Sequence, residues 1–428
     1  MSASTTPRRV ALAPADARYH AHVIGPTGRG KSTLLENWVL SDAERGQAVV
    51  LIDIKGESVY RLLRRLPRSC WDRVVLLDAA QQDRVVGLNV LEHLDPTRRG
   101  LVADQVVAIF RRLFAQYWKD RSDHVMQMAV RTLLERPGST ICDVPGLLLD
   151  EKIRNGLTRG LQDPILAADW VEWNGWSDKD RLERAGPALS RLRSILLRPE
   201  ARNILGQSKS TIDISEILDS GGILLVSLPK GEIGEETAKL LGSLLMIQLW
   251  QATLRRINRP AEQRPDATVI VDEFHNFVHL PSLFEDLLSE SRGYHIGWVL
   301  AHQFMAQLTP AALQEAVLAN TQTTIAYTPK DHHNAAALAP LLQLTASQLM
   351  SLAQHQVAVR LCVGGHPSPT FTLRTFDVPP SLGEEHAREL TTAALERKGR
   401  PREEVEKEII RRLRGTSPKE VNPDDMAS

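Results

Sequence analysis

Residues 22–38, HVIGPTGRGKSTLLENW, place three glycines, a lysine and three hydroxyls between two apolar runs. The pattern Gly25-x-x-x-x-Gly30-Lys31-Ser32 is that of a phosphate-binding loop. It also has the context such a loop needs, a β-like run at Ala21–Ile24 before it and a helical pattern at Ser32–Ala43 after it. Glycines let the main chain curl until its N–H groups converge on phosphate oxygens at the positive end of the following helix. The cradle is then Gly25, Pro26, Thr27, Gly28, Arg29, Gly30, Lys31, Ser32 and Thr33. In this reading Lys31 reaches the β and γ phosphates, Ser32 ligates magnesium and Thr33 touches the α-phosphate side, so the expected ligands are ATP and Mg²⁺. A glycine turn with an incidental lysine is the plain alternative, and the flanking strand and helix weigh against it.

Working outward, Gly46 is placed to cap the helix, and β-like runs follow at Ala48–Ile52 and Val74–Leu77. From about Leu88 to Gly206 the pattern turns helical, with apolar-periodic stretches at Leu101–Trp118, Val125–Leu134 and Leu182–Leu197. Strand character returns at Gly222–Leu228, Ala267–Val271, Gly297–Leu300, Thr323–Tyr327 and Gln356–Val363, with helices at Gly234–Asn258, Leu283–Ser291 and Ala311–Leu318 between them. Such alternation predicts an α/β protein with a mostly parallel sheet covered on both faces, interrupted by an all-α insertion. The expected division is 1–87 and 207–378 for the two parts of a nucleotide-hydrolysing core, 88–206 for the insertion and 379–428 for a charged, helical C-terminal tail that turns polar from Thr416.

A second nucleotide-site element lies far along the chain. Val269-Ile270-Val271 is followed by Asp272-Glu273, an apolar strand delivering two acids at its C-terminal edge. Asp272 is assigned to the magnesium shell and Glu273 to polarising the attacking water, although a pair of acids could also simply open the next helix. In SESRGYHIGWVLAHQF, Gln303 follows a strand and could sense the γ-phosphate or the water; a solvated loop amide is the alternative. Arg292 precedes the same strand, so it belongs at the opposite edge of the sheet from its own nucleotide. It could serve a neighbour's site, where guanidinium suits the charge building on a transferred phosphoryl group, or sit in a surface ion pair.

The bulk numbers narrow the class. At 428 residues, with 43% hydrophobic and 24% charged residues, the chain is an ordinary soluble globular protein in composition. Lys+Arg 52 against Asp+Glu 52 leaves no net charge, so a nucleic-acid role would have to rest on local basic clusters. Cys70, Cys142 and Cys362 are scattered without ligand spacing and read as reduced thiols. His295 and the His332-His333 pair lack partners at metal-ligand spacing. The N-terminal stretch has the pair Arg8-Arg9 without an apolar core after it, and the most apolar long segment, Leu240–Leu254, is broken by Gly242, Ser243, Gln248 and Gln251. The expectation is a cytoplasmic protein with no transmembrane segment of its own, or one peripheral at the inner membrane through a partner.

The ordered set of segments resembles the HerA/FtsK superfamily of ring-forming motor ATPases, and within it the TraG/TraD-like coupling ATPases of conjugation and type IV secretion. The resemblance rests on HVIGPTGRGKST, VVLIDIKGES, the helical insertion, GGILLVSLPKGEIGEETAKLLGSLL, VIVDEFHNF, the Arg292-to-Gln303 segment and LTASQLMSLAQHQVAVRL, together spanning about Arg18 to Thr375. It implies a RecA-like core, a homo-hexameric ring, ATP hydrolysis at subunit interfaces with a trans-acting arginine matched here by Arg292, and movement of DNA through a central channel. A relaxase, an effector or a membrane-channel protein are the further partners it implies. Membrane-anchored relatives carry transmembrane helices ahead of the core, whereas this P-loop begins at Gly25. Two other readings stay open: a HerA-like motor working with a nuclease, and a nucleotide-gated docking protein for relaxase or effector cargo.

If DNA passes through, the insertion offers Arg181, Arg184, Arg191, Arg193, Arg198 and Arg202, with Arg111, Arg112, Lys119 and Arg121 earlier; acids are interspersed, so a solvated charged face is equally open. Trp170, Trp173 and Trp176 could stack bases, though tryptophans at this spacing on a helix more often pack a core. Lys55, in DIKGE, could face the nucleotide or the channel.

Overall fold

The structure, a computed structural model, describes residues 9–92, 96–118, 120–278 and 281–414. Its strands are β1 (Ala21–Ile24), β2 (Ala48–Asp53), β3 (Val74–Asp78), β4 (Arg84–Val86), β5 (Ile223–Ser227), β6 (Ala267–Val271), β7 (Ile296–His302), β8 (Thr323–Tyr327), β9 (Gln356–Arg360), β10 (Cys362–Val363), β11 (His366–Pro367), β12 (Phe371–Arg374) and β13 (Gly399–Pro401). Nine of them form one sheet in the order β12-β9-β8-β1-β7-β6-β2-β5-β3. Every neighbouring pair from β8 to β3 is parallel, and β9 alone runs against its neighbours β8 and β12. The α/β architecture expected from the alternation is therefore present.

The strands are legible because a parallel sheet covered on both sides buries every side chain, so its strands read as continuous apolar runs. All residues of β1, β2, β5, β6, β7 and β8 are buried, whereas the edge strand β12 alternates half-buried with exposed. Successive side chains go to opposite faces. Val50 and Ile52 join one core with Val102, Val106, Leu240 and Leu244, while Val49 and Leu51 join the other with Leu35, Val39, Leu62 and Leu390. The helices Lys31–Glu44, Glu57–Leu63 and Glu384–Lys398 thus cover one face, and Glu235–Arg255 lies under the other.

Between β4 and β5 the described chain is helical from Arg99–Leu113 through Ile214–Asp219. Its apolar side chains run without a break into the core beneath the sheet, through contacts between Arg99–Leu113 and Glu235–Arg255. Trp170 and Trp173 are spent on this core: they are 2% and 0% exposed, with rings packed edge to face at 6.1 Å and the Trp170 indole donating to Thr132 Oγ1 at 2.8 Å. Neither can stack a base. Trp176 carries the Arg184 guanidinium 3.9 Å from its ring centre.

One expectation needs correction. The run Gln356–Val363 is not one strand: β9 stops at Arg360, and Leu361 instead pairs with Ser368 across a hairpin (β10–β11) that turns at Gly364 and Gly365, both at positive φ. Over its described part the segment after Pro379 holds the helices Glu384–Lys398 and Arg402–Leu413. Glu384–Lys398 packs on β3, β13 pairs with β4, and Arg402–Leu413 sends Arg412 to Asp143 at 2.8 Å and to Thr140 Oγ1 at 3.1 Å. The polar stretch from Thr416 lies outside the described residues, as does Lys119.

Candidate active site

Strand order brings the distant motifs together. β7 lies between β1 and β6, and the register sets Ile24 beside His302 and Val271 beside Leu300. The residues that follow β1, β6 and β7, namely Gly25, Asp272-Glu273 and Gln303, therefore emerge at one edge of the sheet. That carboxyl edge is where open α/β sheets bind ligands.

The loop is shaped for close approach. Gly25 donates its N–H to His302 O at 3.1 Å, and a β-carbon there would fall 2.8 Å from the Tyr327 ring. Gly30 has φ +107 and faces His355 Nδ1, which an added β-carbon would meet at 2.9 Å. The helix Lys31–Glu44 starts at Gly30 with no side chain capping it, so the first-turn N–H groups are left for a ligand. Tyr327 Oη donates to Gly30 O at 3.0 Å and braces the loop from β8.

Lys31, 5% exposed, places its ammonium 2.8 Å from Asp272 Oδ1 and 3.3 Å from Glu273 Oε1. Gln303 Nε2 donates to the same Glu273 oxygen at 2.8 Å, and Lys55 Nζ does so at 3.2 Å. Burial pushes the Glu273 carboxyl up, but Lys31, Gln303 and Lys55 outweigh it and hold the group below the usual carboxylate range. Glu273 sits at φ +49, a left-handed conformation that is sparsely populated for any residue but glycine and recurs at functional sites. Its other oxygen, Oε2, is buried without a partner, and so is His275 Nδ1, 3.8 Å away.

The structure thus gathers Lys31, Asp272, Glu273 and Gln303, with Gly25, Pro26, Thr27, Gly28, Arg29, Gly30, Ser32 and Thr33 on the loop and the first helical turn. Arg292 is not brought in. It precedes β7, at the far edge of the sheet from Gln303, where it is exposed, stacks 4.7 Å over Tyr19 and forms no ion pair among the described residues.

For magnesium, the Ser32 hydroxyl and Asp272 carboxylate are hard oxygen donors of the right kind. Among the described residues no group of three or more His, Cys, Asp or Glu is arranged to hold a metal.

Sequence reasoning missed a buried pair beside the loop. His22 and His302 are both 0% exposed and meet through their Nε2 atoms at 2.6 Å, tying β1 to β7. Burial drives His22 down to about 3 and His302 well below its ordinary value, so both are neutral, and His302 Nδ1 donates to Phe304 O at 3.0 Å. The pair fixes the turn that presents Gln303. His22 stands in the opening motif, but only the adjacency of β1 and β7 reveals its partner. Asp53 was also passed over. It is buried at the end of β2, its carboxyl raised by burial and by the nearby Asp272 charge.

The arginines of the helical stretch are largely engaged. Arg111 pairs with Asp123, Arg121 with Glu183 and Arg202 with Glu406; Arg181 donates to Trp173 O, Arg198 to Ile233 O, and Arg191 stacks 3.5 Å over Tyr117. Arg112 and Arg193 are exposed with no partner among the described residues. No described helix is long and apolar enough to cross a membrane.

No curated protein sequence matches the chain. Residues 266–346 match a family model described as the TraM recognition site of TraD and TraG. Those residues hold β6, Asp272, Glu273, Arg292, Gln303 and β8. Among solved structures the chain is similar to the plasmid coupling protein TrwB in complex with the non-hydrolysable ATP analogue ADPNP, at TM-score 0.63 and 14% identity over 90% of this chain and 92% of that one. TrwB in complex with ADP and Mg²⁺ gives TM-score 0.59 and 15% identity over 87% and 88%. VirB4 of Thermoanaerobacter pseudethanolicus gives TM-score 0.52 and 14% identity over 84% and 90%. In fold, then, the chain is similar to the coupling protein TrwB and to VirB4, and its stretch 266–346 resembles the corresponding part of TraD and TraG.

Proposed function

We propose that this chain is an ATP-hydrolysing motor of the coupling-protein type, which assembles as a homo-hexameric ring and moves DNA or a nucleoprotein substrate. The observation that carries the reading is the meeting of Lys31 with Asp272 and Glu273, three groups drawn from segments about 240 residues apart in the chain. Structural burial alone would not gather two carboxylates, a lysine and an amide below an uncapped helix start.

In this mechanism the loop N–H groups and Lys31 hold the phosphates, and Gln303 orients the water. The water oxygen attacks the γ-phosphorus, Glu273 takes its proton, and the bond to the β–γ bridging oxygen breaks to leave ADP and phosphate. Magnesium, held by Ser32 and Asp272, would neutralise charge on the phosphates. Arg292 precedes β7, at the opposite edge of the sheet from its own site, and is exposed, which suits a role in the site of an adjacent subunit. TrwB has been solved with an ATP analogue and with ADP and Mg²⁺, which is consistent with the same ligands here. The match over 266–346 supports a further protein partner of the TraM kind.

Two measurements test the reading. ATP turnover is expected to rise several-fold with single- or double-stranded DNA and to lose that rise as salt increases, because phosphate contacts release counterions. No stimulation by any DNA at any salt contradicts translocation. Arg292→Ala is expected to lower turnover by about 10³-fold, and mixing it with Lys31→Ala subunits should restore part of the activity. Unchanged turnover in Arg292→Ala refutes the trans role.

A further inference from the structure

We infer that Lys55 reads the terminal phosphate: it holds Glu273 while that phosphate is missing and turns to the phosphoryl group when a triphosphate is bound, releasing Glu273 to act as base. This rests on the reading that the site hydrolyses ATP.

The segment Asp53-Ile54-Lys55-Gly56 is built to aim this side chain. Asp53, 1% exposed, accepts the Lys55 N–H on Oδ1 and the Ser58 N–H on Oδ2, both at 2.8 Å, so the turn is wrapped round one buried carboxylate. Gly56 takes φ +80 and lies so close to β5 that a β-carbon would stand 2.8 Å from Ser227 Oγ, which leaves glycine as the residue that fits. Leu228 N–H donates to Asp53 O and Lys230 N–H to Ile54 O, at 2.9 and 3.1 Å, and these bonds pin the turn to the chain that leaves β5. The backbone of Lys55 is therefore fixed on three sides.

Its side chain is not. Lys55 is 39% exposed along the side chain, against 6% for Lys31, and Glu273 Oε1 at 3.2 Å is its one ion-pair partner among the described residues. A fixed base with a free four-carbon stem suits a group that changes partners. The distance to Glu273 also decides between the two directions the sequence left open: Lys55 faces the nucleotide site.

Charge supplies the reason for exchange. Glu273 Oε1 accepts from Lys31, Lys55 and Gln303 together, so three donors crowd that one oxygen while Oε2 has none. A triphosphate differs from a diphosphate by charge at its far end, where Glu273 must meet the water. Lys31 belongs to the loop and serves both nucleotides. Lys55, arriving from the acid side, is the cation whose choice depends on the γ-phosphate, and the exchange links release of the base to the presence of its substrate.

The test uses the full chain, with Lys55→Met and Lys55→Arg beside the wild type. Binding of ADP and of a non-hydrolysable ATP analogue is followed with a fluorescent nucleotide competitor, and kcat and KM are measured with ATP. Loss of one charge-assisted contact corresponds to about tenfold. Lys55→Met is therefore expected to keep ADP affinity within twofold, to lower the preference for the ATP analogue about tenfold and to lower kcat at least as much. Lys55→Arg should recover part of both. Unchanged nucleotide preference, or a faster kcat in Lys55→Met, overturns the inference while wild-type turnover keeps the ATPase reading intact. A wild-type chain that neither binds nor hydrolyses ATP removes that reading and the inference together. Unchanged ADP affinity shows that the loop still folds.

Discussion

Lys31→Ala is expected to abolish measurable ATP turnover and, in the same protein, to destabilise the nucleotide-free fold. The first effect follows from the loop: a cation that neutralises transferring phosphate oxygens in a site sheltered from water is worth about 10²–10³-fold or more. The second follows from the buried ion pairs of Lys31. Lys31 lies between two carboxylates whose side chains are 4% exposed, so its removal leaves buried acids without their principal counter-charge. Breaking a buried pair on one side costs at most about 3–5 kcal/mol. Here the cost is moderated because Lys55 and Gln303 remain on Glu273. Circular dichroism melting without nucleotide, alongside a phosphate-release assay, checks both. A variant that melts like the wild type would show that Lys31 is not the main counter-charge of the two acids.

Glu273→Gln is the second large effect and has the opposite character. The amide is nearly isosteric and can still accept from Gln303, but it cannot take a proton from water. Turnover is expected to fall about 10²–10⁴-fold, with ATP affinity kept within a few-fold because the loop and Lys31 are untouched. Steady-state kinetics with a separate equilibrium binding measurement resolves the two. A loss of binding equal to the loss of turnover would make Glu273 a ligand-holding residue instead of the base. Asp272→Asn should separate from it by weakening the magnesium dependence of binding.

What the sequence made legible is what depends on runs along the chain. The strands that bury both faces read as unbroken apolar stretches, and Ala21–Ile24, Ala267–Val271 and Thr323–Tyr327 have the bounds expected of them. The phosphate loop announces itself because its geometry needs glycines at fixed spacing. Arg292 and Gln303 fall on opposite sides of β7 because a strand has two ends, whatever its neighbours are.

What stayed hidden depends on which strands are neighbours. The His22–His302 pair requires β1 beside β7, and the approach of Lys55 to Glu273 requires β2 beside β6; neither adjacency leaves a mark in the local pattern. The short strands β4 and β13 have too few residues for any periodicity and exist because they pair with each other. The packing of Glu384–Lys398 was masked by its charge. Only Leu390, Ala394 and Leu395 are buried there, while Arg64 and Arg68 pair with Glu384 and Glu389 across the seam.

The central claim is that the glycine loop and the distant acid pair surround one magnesium-bound triphosphate. A structure of the chain determined with a non-hydrolysable ATP analogue and Mg²⁺ tests it most directly. The expected result is phosphate density over Gly25–Thr33, the metal between Ser32 and Asp272, and Lys31 moved from the acids onto the phosphates. Analogue bound elsewhere, or a site in which Lys31 stays locked to Asp272 and Glu273 at saturating nucleotide, would contradict it.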